Sequence, residues 1–332
     1  MRRFLSPRLL TTLSSLALSA FVLAACGSTT AASGSTATAD TTTGADATAD
    51  DAATAQDVAT ADVPQTPQPA TPPAYEGTCP DFTKGGTVSI TSGGFKRSVR
   101  VALPQDLTSP DNGLVFLWHG LGDSASNFSS AFGATSIAKN NNAVVITPDV
   151  CSASGCSQMF GWAFLTDDGG ADVKLFEDVI SCVSQQVTID ARRVYSTGFS
   201  AGALWTTWLL INRAEYLGSV AIFSGGIDPS QVAYVTPKWP IPVIGFYGSQ
   251  SGDQFQGMVF FHELMQTLIG DLRTDKIFTV DCDHELNAHT IPSGGVEAGI
   301  EFMFNHKYGD KSSYETDGAL PTSYPKYCKI AP

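Results

Sequence analysis

Five residues, Gly198-Phe199-Ser200-Ala201-Gly202, constrain this 332-residue chain more than any others. They fit the spacing G-x-S-x-G, which is weak alone and gains meaning from its flanks. A short β-rich run, 193–197, leads straight in, and a helical pattern starting near Ala203 leads straight out. A strand that turns so sharply into a helix leaves no room for bulk beside the serine, hence glycine at 198 and 202. The turn lifts the Ser200 hydroxyl above the sheet at a helix N-terminus, whose dipole favours a developing negative charge. The alternative, a structural turn with an incidental serine, is disfavoured by the strand and helix on either side.

The other apolar runs extend the alternation. Segments 87–90 and 97–102 read as an antiparallel pair joined through Gly93-Gly94. Segments 115–118, 143–147, 219–223, 242–247 and 277–280 are near-continuous apolar runs, as strands buried on both faces require. Between them, 172–186 places Val173, Phe176, Val179, Ile180 and Val183 on one helical face, and 204–213, 255–269 and 296–306 read the same way. Strand then helix, repeated, gives an α/β class with a mostly parallel central sheet and helices on both faces.

Composition divides the chain into three regions. Residues 1–25 carry Arg2, Arg3 and Arg8 and then an apolar run from Leu13 to Ala25, a secretion signal too short to read as a membrane span. Its end, Leu23-Ala24-Ala25-Cys26, resembles the lipobox of bacterial lipoproteins. That resemblance implies cleavage before Cys26 and a diacylglycerol on its sulfur. The chain is then exported and held at the cell envelope or outer surface by a lipid anchor only. Residues 26–75 are almost all Ala, Thr, Ser, Asp, Gly and Pro, with no Lys, Arg or His and no aromatic residue before Tyr75. Such a segment buries nothing and reads as a disordered tether, stiffened at its far end by Pro64, Pro67, Pro69, Pro72 and Pro73. Residues 76–332 form one catalytic domain.

The net charge of −13, with no Lys/Arg-rich run, argues against a nucleic-acid partner. Beyond Cys26 there are six cysteines, Cys79, Cys151, Cys156, Cys182, Cys282 and Cys328. An even count in an exported chain favours disulfides, and a Cys79–Cys328 staple across the domain ends is one pairing to test. No CxxC pair is present, and no metal site is expected.

A serine nucleophile needs a base, and five histidines are available. His119 precedes Ser200, in Trp118-His119-Gly120-Leu121-Gly122, where an oxyanion-binding loop belongs. His262 and His306 fall inside helical patterns. His284 and His289 both follow the last strand, where the order Ser, acid, His puts the base. His262-Glu263 opens like a zincin motif, but Gln266 stands where the second histidine is needed. His284 and His289 are five apart, which on a helix is not one face. Asp253 is the first carboxylate after the strand 242–247 and is the candidate acid, to fix the imidazole tautomer and stabilise the imidazolium. The competing reading is a cap on a helix starting near Gln254; Asp228 is the second candidate. The oxyanion hole takes the backbone N–H of Ala201 and, most simply, that of Leu121, with Gly120 and Gly122 permitting close approach. Trp162, Trp205 and Trp208 are candidates for the substrate pocket, but aromatic residues at those spacings are more often core, and they are left out of the site.

The run 190–202, Asp-Ala-Arg-Arg-Val-Tyr-Ser-Thr-Gly-Phe-Ser-Ala-Gly, resembles the D-x-x-R-V-Y-x-x-G-x-S-x-G of secreted polyhydroxybutyrate depolymerase and feruloyl esterase-like α/β-hydrolases. Arg97 to Pro104 followed by His119-Gly120 is similar to that group's entry segment, and Gly161-Trp162 and Asp172-Val173 to its segment before the serine. Ala288-His289-Thr290-Ile291-Pro292 is similar to its terminal H-x-W-P, which prefers His289 over His284. Tyr247-Gly248 stands where the group has H-G, Asp253 sits two positions late, and Ile291 replaces Trp. The resemblance implies the α/β-hydrolase fold and a serine carboxylic-ester hydrolase working through an acyl-enzyme. No cofactor is required. Its substrate is an ester met outside the cell, polymers included: a polyhydroxybutyrate-type polyester or a feruloyl- or acetyl-type ester. A serine peptidase of the same fold lacks its usual gating domain here, and a non-catalytic binding module predicts a lost triad residue where candidates for all three survive.

Overall fold

The central strands are buried at every position rather than at alternate ones, and that dictates a sheet covered on both sides. The computed structural model describes residues 66–331; the leader, Cys26, the tether up to residue 65 and the final proline lie outside the described residues. Strands β1 (Gly86–Ser92) and β2 (Phe95–Ala102) pair antiparallel as expected, with Ser92 opposite Phe95. Gly93 and Gly94 between them sit at φ 58° and 83°, the positive values that a two-residue type I′ turn needs at both positions.

Next come β3 (Gly113–Trp118), two short helices α1 (Ala125–Ala131) and α2 (Ala134–Asn140), β4 (Ala143–Pro148), α3 (Gly170–Gln186), β5 (Val194–Phe199), α4 (Ala201–Arg213), β6 (Ser219–Phe223) and β7 (Val243–Tyr247). A small hairpin, β8 (Gln254–Phe255) and β9 (Val259–Phe260), leads into α5 (Phe261–Thr274), β10 (Thr279–Asp283), α6 (Gly295–Phe304), α7 (Ser313–Asp317) and β11 (Cys328–Ile330). Among the described residues nine strands form one sheet in the order β1-β2-β4-β3-β5-β6-β7-β10-β11. It is parallel from β4 through β10 and antiparallel at both edges.

Side chains of β3 leave the sheet alternately. Leu114, Phe116 and Trp118 join one core with residues of α3, α4 and α5. Val115 and Leu117 join the other with residues of α1, α2 and α6. This is why the central strands read as unbroken apolar runs.

Three features differ from the sequence reading. The helix expected from residue 255 starts at Phe261, because 254–260 folds on itself with Gln254 opposite Phe260. The Cys79–Cys328 staple does not form: Cys328 lies on the β11 edge bonded to Cys282 of β10, while Cys79 bonds Cys182 of α3 at the far side of the sheet. Cys151 and Cys156 close a short loop after β4. The last residues assigned to the tether, 66–75, lie along the domain, where Ala70 N–H donates to the Glu215 carbonyl at 2.8 Å and Tyr75 N–H to Ser181 Oγ at 3.1 Å. Among the described residues, no helix is long and apolar enough to cross a membrane.

Candidate active site

Ser200 stands between β5 and α4 at φ 57°, ψ −122°, a conformation that a residue bearing a Cβ adopts only when its surroundings impose it. The surroundings are tight. A Cβ at Gly202 would overlap the Trp118 carbonyl, and one at Gly198 would overlap the Gly202 backbone. Glycine at both places is therefore the condition for β5, the end of β3 and α4 to meet at this turn. The Ser200 N–H donates to the Phe223 carbonyl at 3.0 Å, and its own carbonyl accepts from Ala203 and Leu204 at 2.9 Å each. Helix α4 thus starts two residues earlier than the sequence pattern implied. The Ala201 N–H lies in its first turn, where N–H groups have no partner within the helix.

Asp253 and His289 come together from loops 36 residues apart in sequence: Asp253 Oδ1 lies 2.7 Å from His289 Nδ1. The carboxylate is fully buried, and its other oxygen accepts from the Gly248 N–H at 2.8 Å and the Ser224 hydroxyl at 3.0 Å. Both of its oxygens are thus hydrogen-bonded, as a buried carboxyl group requires. Asp253 caps no helix, since β8 follows it. Asp228 is occupied in its own loop, accepting from the Ser230 N–H and hydroxyl. Ser224 carried no signal in the sequence: it is the first residue past β6, held at φ 52°.

Two phenyl rings stack on the His289 imidazole. The Phe261 centroid is 4.5 Å away with planes 11° apart, and Phe199 is 4.6 Å away at 26°. Because Phe199 immediately precedes Ser200, that second contact sets the serine turn against the histidine. Among the described residues, no hydrogen bond joins Ser200 to His289; such bonds commonly tighten only with substrate present.

The other histidines are placed elsewhere. His284 is buried, accepts from the Leu286 N–H at its Nδ1, and is held below the ordinary imidazole pKa by burial. His262 faces the Gly248 carbonyl through Nδ1. His306 is enclosed in the core, its pKa pushed down to about 4 by burial. His119 is buried at the end of β3 with Nδ1 2.8 Å from the Gly120 carbonyl. Gly120 passes so close to Ser200 that a Cβ there would lie 3.4 Å from the Ser200 Cβ. The loop carrying Leu121 therefore borders the serine. Among the described residues, no group of three His, Cys, Asp or Glu side chains is placed to hold a metal ion.

A cavity of about 440 Å³ lies beside α4, and neither Ser200, Asp253 nor His289 lines it. Its walls include Phe164, Leu204, Trp208, Ile227 and Phe260. Leu204 is one helical turn beyond Ser200, and Phe260 adjoins the Phe261 that stacks on His289. Trp208, read from the sequence as core, is buried and also forms part of this wall, whereas Trp162 and Trp205 are wholly interior.

No family model matches the chain. It is 30% identical over 168 residues to feruloyl esterase D of Neurospora crassa, covering 47% of this chain and 54% of that one. It is 24% identical over 125 residues to a probable acetylxylan esterase A of Aspergillus niger, covering 38% and 41%. The chain thus spans about half or less of the length of these relatives. In fold it is similar to the crystal structure of native sOPH, with a TM-score of 0.61 and 19% identity over 79% of this chain and 98% of that one. A complex of pOPH_S172A of pNPB gives 0.61 at 17% identity, over 77% and 96%. With the strand order above, the chain has the α/β-hydrolase fold.

Proposed function

We propose that this chain is a serine carboxylic-ester hydrolase. Ser200 is the nucleophile, His289 the base, Asp253 the acid, and the backbone N–H groups of Ala201 and Leu121 receive the oxyanion. The observation that carries the reading is the buried Asp253 carboxylate on His289 Nδ1, beside a serine held in a left-handed turn. With Asp253 on Nδ1, the tautomer leaves Nε2 free to take the Ser200 proton. The Ser200 oxygen then bonds to the ester carbon, the carbonyl electrons move to its oxygen, and collapse expels the alcohol with the proton from His289. Water, deprotonated by the same histidine, releases the acid.

The substrate is an ester of feruloyl, acetyl or polyester type. The names of the partial relatives support the first two. Export, implied by the leader, is supported by three disulfides. The lipid anchor at Cys26 belongs to the same proposal; Cys26→Ser should shift the full chain from the detergent phase to the aqueous phase on Triton X-114 partition.

The test of the chemistry compares p-nitrophenyl acetate and butyrate hydrolysis by the parent and by Ser200→Ala, each checked for folding by circular dichroism. The reading requires turnover in the parent and background in the variant. Equal rates in both would end it.

A further inference from the structure

The chemistry above makes no use of Gly161-Trp162, Asp172 or Arg97, yet these residues meet in one buried chain that ends at the oxyanion-binding loop. Trp162, between β4 and α3, is 1% exposed, and its indole N–H donates to the His119 carbonyl at 2.8 Å. Its ring stands edge-on to the His119 imidazole and to Trp118. The following amide, Ala163 N–H, donates to Asp172 Oδ2 at 2.9 Å, and Asp172 Oδ1 pairs with Arg97 Nη2 at 2.7 Å. Arg97 also reaches the Asp149 carbonyl at 3.2 Å. A buried pair of this kind is weak evidence for stability, since desolvation offsets most of the attraction. What it does supply is a fixed position for the Trp162–Ala163 backbone.

The consequence is read at the next two peptides. The peptide joining Gly120 to Leu121 is planar and trans, so its carbonyl and its N–H point to opposite sides. The Gly120 carbonyl is held by His119 Nδ1 at 2.8 Å and by the Asp123 N–H at 3.2 Å. Holding that carbonyl aims the Leu121 N–H the other way; a flipped peptide would put an oxygen where a donor is needed. The His119 ring can do this only while its own backbone is fixed, and the group on its backbone carbonyl is the Trp162 indole.

We infer that Trp162 is a positioning residue for the oxyanion-binding loop, transmitting the fixed geometry of the buried Arg97–Asp172 pair through its indole N–H to His119 and so to the Leu121 peptide plane. The inference rests on the ester-hydrolase reading, with the Leu121 N–H as a donor. Its contribution is made to the transition state, where negative charge has developed on the carbonyl oxygen, and not to substrate binding.

The experiment uses the full chain with Trp162→Phe, which keeps a ring and removes the donor. A second variant carries 3-benzothienylalanine at position 162, the tryptophan isostere with sulfur in place of N–H, so that the answer does not depend on how phenylalanine packs. Both are assayed on p-nitrophenyl butyrate, with Ser200→Ala alongside. A trifluoromethyl ketone is the second probe. The Ser200 oxygen adds to its carbonyl carbon, the serine proton passes to His289, and the ketone oxygen becomes the oxyanion. The matching secondary alcohol forms no adduct. The expected result is a kcat about ten- to a hundredfold lower with KM within about threefold, the scale of a mispositioned oxyanion donor. The trifluoromethyl ketone should weaken by a similar factor and the alcohol should not. A kcat within about twofold of the parent in the isostere, or a loss confined to KM, overturns the inference. Turnover that survives Ser200→Ala overturns the ester-hydrolase reading and this inference with it; turnover lost in Ser200→Ala but intact in both position-162 variants overturns this inference alone.

Discussion

Phe261 lies nearly parallel to the His289 imidazole, with ring centroids 4.5 Å apart and planes 11° from parallel. It is the first residue of α5 and 2% exposed, so the ring is anchored by a whole helix. Phe199 stacks on the same imidazole from the serine side. A histidine on a loop owes its orientation to such contacts as much as to its acid.

Phe261→Leu removes the flat surface while leaving the helix. We expect kcat/KM on p-nitrophenyl butyrate to fall about tenfold, because a base that samples several rotamers spends less time aligned with the serine. The melting temperature should also fall, reflecting a loss of about 1–3 kcal/mol of packing for a fully buried ring reduced in size. Steady-state kinetics set beside thermal melts separate the two effects: at temperatures well below the melt only the kinetic defect should persist.

Asp253→Asn tests the acid. An amide can still accept from Gly248 and Ser224, so the loop geometry survives, but it no longer selects the tautomer with Nδ1 protonated. Loss of kcat by about 10³–10⁴ is expected, in keeping with the acid-to-amide change in other triads. Asp228→Asn, altering a carboxylate that only closes its own turn, should leave kcat within about twofold. The reverse pattern would transfer the role to Asp228.

The same two aspartates show how far the sequence could be read. Strand order and chain order brought Asp253 forward, because both follow from the α/β alternation that unbroken apolar runs reveal. The choice of His289 over His284 came from a family likeness, since both histidines follow the last strand. Their difference is tertiary: His284 is drawn under the Gly248 turn, while His289 reaches Asp253. The β8–β9 hairpin was missed because Phe255, Val259 and Phe260 fit the helical period that α5 continues, and only Gln256 and Gly257, at φ 52° and 67°, break it. Helices α1 and α2 have too few apolar residues to form a readable stripe. Ser224, the cavity wall and the cysteine pairs each depend on chain segments meeting from different parts of the sequence, which no local pattern encodes.

Stability should fall in mild acid, and His306 gives the sign. Its Nδ1 lies 2.7 Å from the Phe302 carbonyl and its Nε2 2.6 Å from the Ser312 hydroxyl. Both are satisfied by one neutral tautomer, with Nδ1 donating and Nε2 accepting. Burial depresses its pKa from 6.5 to about 4. Above the unfolded value both states are neutral and the group contributes no pH dependence. As pH falls from 6.5 towards 4 the unfolded chain takes up a proton that the folded chain refuses, and stability drops, levelling once the folded group also titrates. The integrated loss from this one residue is about 3 kcal/mol. Urea unfolding at pH 7 and pH 4.5 should show the fall, and His306→Gln should flatten it. His284, also depressed by burial, should leave a residual slope of the same sign in that variant.

The disulfides should separate stability from catalysis. Cys79–Cys182 closes a loop with a sequence separation of 103, and Cys151–Cys156 one of 5. In the chain-entropy account the first restrains the unfolded state by about 4–5 kcal/mol and the second by about 2 kcal/mol. Replacing Cys79 and Cys182 by Ala should therefore shift the urea midpoint further than replacing Cys151 and Cys156. Activity should rank the other way. Cys151 and Cys156 lie in the segment between β4 and α3 that also carries Trp162, whose indole holds the His119 carbonyl. Opening that small ring should lower kcat by several-fold while the protein is still fully folded, whereas the Cys79–Cys182 pair, remote from the serine turn, should leave kcat unchanged until the chain begins to unfold. Equal kcat losses in the two double variants, measured well below their midpoints, would show that the short ring does not support the loop at all.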